Sequence, residues 1–269
     1  MKILTMTAWK RPDYFKRVIE SLEKAEGIED YLLLVSIDGG YRETQDEMMD
    51  ILGNSSLNYL HWLQDENIGC AANTGFILNV GFSRADRIIH VEDDTVFHPD
   101  ALKWFEYNLA AYEHDERIFS VSGYARETES MIGDWPEPNI VGLRDWFHCW
   151  GWATWKRVWD EIDVWFGIHW KEGIGHLHKG RESRGEDFLA YVDCDGKGSW
   201  GVPMNHYWRR NRFEIAPHTS FIQNIGKLDS TWATEDVWKF KHQTSIFYPD
   251  QRVCNFENFF IEDYLEALE

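Results

Sequence analysis

A chain of 269 residues, 43% of them hydrophobic, is long enough for one sizeable α/β domain and too apolar for general disorder. A net charge of −19 argues against a nucleic-acid backbone or an anionic membrane surface as the main partner. A nucleotide reached through a metal ion stays compatible with that charge. No window approaches the roughly 18 uninterrupted apolar residues of a membrane span. The first residues run straight into a strand pattern cut by Lys10-Arg11-Pro12, unlike a secretory signal. Four scattered cysteines show neither metal nor disulfide spacing, so a reducing cytoplasm is the expected location.

In chain order, Ile3 to Thr7 reads as a first strand, with a loop to Asp13 at its carboxyl end. Phe15, Val18, Ile19 and Leu22 then recur at helical spacing, and Gly27 closes that helix. Tyr31 to Ile37 is an almost continuous apolar run, hence a buried parallel strand, and Asp38-Gly39-Gly40 ends it. A right-handed crossover between these strands would put Arg11 and Asp38 near each other at one sheet edge. A helix over 44–52, a short strand over 57–63 and an Asn67-Ile68-Gly69 turn come next. The helix after that turn carries Ala72, Phe76, Ile77 and Val80 on one face. Ile88 to Val91 is a further strand, Pro99 starts a helix with Leu102, Phe105, Leu109 and Tyr112 in a stripe, and Ile118 to Gly123 is again a strand. The alternation predicts an α/β fold: a mainly parallel mixed sheet with helices on both faces.

Beyond Gly123 the texture changes. Residues 126–139 are polar and punctuated by Pro and Gly, a loop over the active face. The aromatic cluster 146–155 is read as leading into a helix over 156–162, residues 214–226 as a strand and turn, and the tail beyond Ser245 as acidic and aromatic. One domain over 1–269 is expected: a ligand-binding half over 1–123, a second half over 124–245 and a tail over 246–269. The chain holds 15 Trp, many between Trp135 and Trp170. Most serve as core, and some offer faces on which sugars or bases stack.

The strand over 88–91 ends in Glu92-Asp93-Asp94. Three consecutive acids repel one another, and the carboxyl end of a central strand is where open α/β sheets bind ligands. A hard dication, Mn²⁺ or Mg²⁺, carrying a diphosphate would relieve the repulsion, since it takes carboxylate oxygens and keeps positions open for phosphate. The plain alternative is a solvated acidic turn before a helix.

Several motifs together resemble the GT-A glycosyltransferases, in particular the bacterial and viral enzymes akin to N-acetylglucosaminyltransferase I. They are Ile3-Leu4-Thr5 with Arg11-Pro12, Ser36-Ile37-Asp38, Glu92-Asp93-Asp94, Trp150-Gly151-Trp152-Ala153-Thr154-Trp155, and Pro217 through Asn224-Ile225-Gly226. The resemblance implies a GT-A sheet with Asp94 as direct metal ligand. It implies that Glu92 and Asp93 touch the sugar and ribose of the donor, and that Arg11 and Asp38 hold the base, most simply a uracil edge. Thr7 and Asn67 would neighbour the donor, and Trp150 and Trp152 would shape the acceptor side.

The same resemblance exposes a gap. Related enzymes carry an Asp after a Trp before the Pro strand, where this chain reads Ser199-Trp200-Gly201-Val202. A His expected after the Asn-Ile-Gly segment is replaced by Ser230-Thr231-Trp232. Asp187, with Glu186 beside it, is the best remaining candidate for the catalytic base, ahead of Asp193 and Asp195. The plain reading of Asp187 is a helix N-terminal acid. His206 or His218 would be a third metal ligand, though a lone His is more often structural.

The reading is a metal-dependent, inverting transferase moving a sugar from a nucleotide-sugar donor, most simply UDP-linked, to a glycan or other hydroxyl acceptor. Its rivals are a nucleotide- or sugar-binding protein of the same fold that lost its base, and a sugar nucleotidyltransferase. The second rival wants a glycine-rich phosphate loop, which Thr7-Ala8-Trp9-Lys10-Arg11-Pro12 lacks. A carboxylate-pair hydrolase is further off, because adjacent acids on one strand end cannot easily flank a glycosidic bond.

Overall fold

The structure, a computed structural model, describes residues 1–125, 141–144, 147–161, 212–217 and 219–226. The elements in order are β1 (Lys2–Ala8), α1 (Pro12–Leu22), β2 (Tyr31–Ile37), α2 (Arg42–Gly53), β3 (Tyr59–Leu63), α3 (Cys70–Phe82), β4 (Arg87–Glu92), β5 (Thr95–Phe97), α4 (Ala101–Ala111), β6 (Ile118–Ser122), β7 (Val141–Arg144), β8 (Trp152–Trp155), β9 (Phe213–Pro217) and β10 (Ile222–Asn224). Eight strands form one sheet in the order β3-β2-β1-β4-β8-β6-β9-β7, and β10 pairs with β5 in a separate ribbon.

Strands β3, β2, β1 and β4 pair in parallel, β8 runs against both β4 and β6, so that β6 and its parallel neighbour β9 share the direction of β4, and β7 runs against β9. The expected mixed, mainly parallel sheet is borne out. The chain moves outward from β1 to β3 and returns to β4. Right-handed crossovers then put α1 and α2 on one face and α3 on the other. Helix α3 is pressed onto the sheet so closely that a Cβ on Gly81 would lie 2.9 Å from the Thr5 methyl.

The apolar stripe read from α1 is the buried one: Phe15, Val18, Ile19 and Leu22 are all core. Each such side chain contributes roughly 1.5–3 kcal/mol relative to exposure. Leu102, Phe105 and Leu109 of α4 and the following Tyr112 likewise reach the core.

Helix α3 departs from the expectation. Its sheet face is Asn73, Thr74, Ile77, Leu78 and Gly81, a face rotated from the predicted one, with Ala72, Phe76 and Val80 only half-buried. The cause is polar pairing. The Asn73 amide donates to the Ser36 carbonyl at 3.2 Å, and the Ser36 hydroxyl donates to Asn73 Oδ1 at 2.5 Å, so two polar side chains sit comfortably against β2.

The aromatic cluster also differs. Trp152 to Trp155 is no lead into a helix but strand β8 at the middle of the sheet, every residue of it buried. A helix does begin at 156, as expected. Trp155 Nε1 donates to the Leu109 carbonyl at 3.0 Å and Thr154 Oγ1 to that of Phe119 at 2.6 Å. Strands β5, β7 and β10 were not read from the sequence. The tail from 246 lies outside the described residues.

Two buried polar sites constrain this frame. Glu214 is fully buried and accepts from Ser120 Oγ at 2.7 Å, His148 N at 3.0 Å and Arg144 Nη1 at 3.4 Å. Glu214→Ala removes a buried carboxylate paired with the buried Arg144 and should cost about 3 kcal/mol, read as a lower urea midpoint at unchanged slope. His90 is buried beside Thr5 Oγ1 at 3.0 Å, and burial lowers its pKa from 6.5 to about 3. Only the unfolded chain takes up this proton between those values. Stability should therefore fall as pH drops from about 6.5 toward 3, by up to about 1.4 kcal/mol per unit. His90→Gln should flatten that slope in pH-dependent urea melts; an unchanged slope would remove His90 as its source.

Candidate active site at the carboxyl edge of the sheet

Register decides which residues meet. Thr7 pairs with Ser36 on one side and Glu92 on the other. The residues just past β1, β2 and β4 therefore share one edge, and they are Trp9 to Arg11, Asp38 and Asp93-Asp94. Thr7 and Glu92 lie at the last rungs, Thr7 buried and Glu92 partly exposed. The edge is thus a convergence of acids with few cations, as expected for a site that takes a positively charged ligand or a metal-bound anion.

Asp93 is buried, and its Oδ2 accepts the Trp9 backbone N–H at 3.0 Å. Its Oδ1 is bridged tightly by the Arg11 guanidinium. Asp94 Oδ2 takes the other Arg11 nitrogen at 2.9 Å, and Asp94 Oδ1 accepts from Asn224 Nδ2 at 2.9 Å. One guanidinium therefore serves two adjacent carboxylates, using the planar fork that makes Arg suited to such work. Burial alone would weaken the charge on Arg11, but Asp93, Asp94 and Glu92 outweigh it and hold the guanidinium more firmly protonated than usual. Burial lifts the Asp93 carboxyl to about 6, with Asp94 adding to the rise and Arg11 and the Trp9 amide opposing it.

Arg11, expected beside a base together with Asp38, is the counter-ion of the acid pair in this structure. Asp38 is also engaged elsewhere. Its Oδ1 accepts from Gly39 N at 2.9 Å and Ile68 N at 2.8 Å, and its Oδ2 from Gly69 N at 3.0 Å. Three amides on one buried carboxylate pin the turn after β2 to the Asn67-Ile68-Gly69 turn that opens α3. Asn67 is half-buried at that junction. Gly39 is needed there, since a Cβ would fall 2.5 Å from the Glu66 carbonyl carbon.

Trp152 does not reach an acceptor surface. It is fully buried, its ring edge-on to His90 at 5.9 Å and to Phe147 at 4.9 Å, so it is a core residue of β8. Trp150 is half-buried, its ring edge-on to Tyr124 at 5.0 Å and to His148 at 4.9 Å. Asp187, Glu186, Asp193, Asp195, Gly201, His206, His218 and the 230–232 segment lie outside the described residues.

The sequence reading missed Trp9, whose indole N–H donates to the Gly39 carbonyl at 3.1 Å while its ring meets Tyr41 edge-on at 5.7 Å. Two aromatics flanking a ligand edge were the available signal. It also treated Asn224-Ile225-Gly226 as a motif without a task. Ile225 N donates to the Asp94 carbonyl at 2.7 Å, so this segment grips Asp94 through backbone and side chain alike.

A hard dication fits the donor set. The oxygens are carboxylates, one guanidinium carries a single charge against two of them, and a Cβ on Gly226 would sit 2.1 Å from Asp94 Oδ2, so only glycine leaves that oxygen without a side chain pressed against it. Among the described residues no group of three or more His, Cys, Asp or Glu side chains is gathered for a metal. Cys70 is a free thiol among the described residues, and no helix among them is long and apolar enough to cross a membrane.

No protein-family model matches the chain. It is similar to the alpha-1,3-mannosyl-glycoprotein 2-beta-N-acetylglucosaminyltransferase of Arabidopsis thaliana, at 23% identity over 198 residues, covering 66% of this chain and 44% of that protein. The chain thus matches less than half the length of that curated relative. Among solved structures, S. aureus TarS 1-349 in complex with UDP superposes with a TM-score of 0.48 at 12% identity, over 82% of this chain and 60% of that one. The mannosyltransferase PcManGT from Pyrobaculum calidifontis, in complex with GDP-Man and Mn²⁺, gives 0.42 at 12% identity, over 60% and 46%. The sequence similarity falls on the class of enzyme that the motifs resemble.

If Arg11 is the counter-ion of the acid pair, Arg11→Ala strands a buried carboxylate and should lower metal-free stability by about 3 kcal/mol. Adding Asp93→Asn should recover much of that loss in a double-mutant cycle. Additive losses would separate Arg11 from Asp93.

Proposed function

We propose that this chain is a metal-dependent glycosyltransferase, moving a sugar from a nucleotide-sugar, most simply UDP-linked, to a hydroxyl of a glycan or similar acceptor. The observation that carries the reading is the buried pair Asp93-Asp94 at the carboxyl end of β4, neutralised by Arg11 and backed by Asn224. The similarity to an N-acetylglucosaminyltransferase over two thirds of the chain supports the same class.

Asp94 would hold Mn²⁺ or Mg²⁺, with Glu92 and Asp93 toward the sugar and ribose. When bound, the ion supplies a Lewis acid that neutralises charge on the departing diphosphate. The protein's own part is positioning. Trp9 N–H and Arg11 keep Asp93 fixed, Asn224 and Ile225 keep Asp94 fixed, and Asp38 locks together the two loops that bound the base side. Trp9 and Tyr41 offer aromatic surface to a base.

Inversion requires an acceptor hydroxyl on the face opposite the leaving group and a carboxylate to take its proton as an oxocarbenium-like sugar forms. Asp187, with Glu186 beside it, is the proposed base, since the usual position reads Gly201. Trp150 is the proposed acceptor-side aromatic.

Asp94→Asn should abolish Mn²⁺-dependent UDP binding in isothermal titration and, with it, transfer from a UDP-sugar panel. Full UDP affinity with Mn²⁺ in that variant would refute the metal assignment. Asp187→Ala should keep donor binding and lower kcat by at least about a hundredfold. Wild-type protein that binds UDP and Mn²⁺ yet transfers and hydrolyses nothing would be a binding protein of this fold.

A further inference from the structure

The motif around Gly151 and the motif around Asn224 are far apart in sequence, and packing joins them. Gly151 has φ +57°, a left-handed conformation that favours glycine. A Cβ on it would also lie 2.0 Å from Ile222 Cδ1, and a Cβ on Gly123 would lie 2.3 Å from Ile222 Cγ1. The two glycines, joined by a hydrogen bond from Gly123 N to the Gly151 carbonyl at 2.9 Å, form a seat for the buried side chain of Ile222. Ile222 opens β10, which pairs antiparallel with β5, setting Asn224 opposite Thr95, directly after Asp94.

From this anchored strand the chain reaches Asp94 by three contacts. Asn224 Nδ2 donates to Asp94 Oδ1 at 2.9 Å, and Ile225 N donates to the Asp94 carbonyl at 2.7 Å. Asn224 itself is held, because its Oδ1 accepts from Gly226 N at 2.9 Å, which also settles which end of the amide faces Asp94. Asn224 is buried, so its amide is not a solvated surface group. Gly226 is the third contact: its missing Cβ would overlap Asp94 Oδ2. One carboxylate oxygen is thereby committed to Asn224, and the other, paired with Arg11 Nη1 at 2.9 Å, has the bare Cα of Gly226 packed beside it.

We propose that Asn224 is a positioning residue for metal binding: it fixes the Asp94 rotamer through Oδ1, while Gly226 puts no side chain against Oδ2, the oxygen that a dication would take over from Arg11 Nη1. The inference rests on Asp94 as metal ligand and adds the segment that makes it a competent one. Groups that orient metal ligands characteristically change metal affinity by about 10–100-fold when removed. Replacing Asn224 leaves the acids themselves in place, so any effect reports their orientation.

The test titrates MnCl₂ into protein with saturating UDP and follows the free Mn²⁺ signal by electron paramagnetic resonance, for wild type, Asn224→Ala, Gly226→Ala and Asp94→Asn. Circular dichroism melts without metal accompany each variant. Asn224→Ala is expected to weaken Mn²⁺ binding about tenfold or more. Gly226→Ala is expected to weaken it at least as much, by crowding Oδ2 rather than by removing a donor. Both are expected to keep a folded spectrum and to lose most of the Mn²⁺-induced rise in melting temperature. Wild-type Mn²⁺ affinity in both variants, with binding lost in Asp94→Asn, would overturn this inference and leave the metal reading standing. Wild-type affinity in Asp94→Asn would overturn that reading itself. Should Asn224→Ala fail to fold, Gly226→Ala alone decides, since it removes no hydrogen bond.

Discussion

Everything at the carboxyl edge of this sheet follows from burying two adjacent carboxylates. An uncompensated buried charge costs several kcal/mol, so Asp93 and Asp94 must be answered by donors and cations wherever the fold can supply them. The fold supplies the Trp9 amide, the Asn224 amide and one guanidinium. These neutralise the pair without exhausting it. A second cation, or a cation bound to a phosphate, finds oxygens already oriented and positive charge already welcome. Arg11 at the start of α1 is thus a resident counter-ion: it makes the metal-free protein stable and leaves carboxylate lone pairs for a ligand.

The neighbouring carboxylate works differently. Asp38 spends its acceptors on three backbone amides, which ties the turn after β2 to the turn before α3. Asp38 thus holds loops together, whereas Asp93 and Asp94 gather Arg11, the Trp9 amide and Asn224. Across the sheet, Glu214 and Arg144 anchor the segment at His148, which leads to Trp150 and Gly151. Gly151 and Gly123 seat Ile222, and the strand that Ile222 opens delivers Asn224 to Asp94. A buried ion pair, a glycine seat and a short ribbon are thereby links in one mechanical chain ending at the Asp94 carboxylate.

Much of this was legible in the amino-acid sequence where burial is one-sided. The stripe Phe15-Val18-Ile19-Leu22 and the run Tyr31 to Ile37 have a single way to hide from water, and they take it. Parallel register then followed, and with it the meeting of Arg11, Asp38 and the acid triplet on one edge. What resisted reading was whatever depends on partners far along the chain. Trp152 to Trp155 has no alternation to mark a strand, because both its faces are covered. Helix α3 is apolar on several sides, so its buried face was decided by Asn73 meeting Ser36 rather than by periodicity. The guanidinium of Arg11 had several acids within reach, and only the fold picks Asp93 and Asp94 over Asp38. The glycine at 226 signals nothing until Asp94 is seen beside it.

The central claim is that the oxygen of Asp94 beside Gly226 receives a dication shared with a donor diphosphate. Crystals grown with UDP and MnCl₂, with anomalous diffraction collected at the manganese edge, test it most directly. An anomalous peak in contact with Asp94 Oδ2 and the nucleotide phosphates is expected. A peak elsewhere, or nucleotide bound with Asp94 still closed onto Arg11 and no manganese beside it, would contradict it.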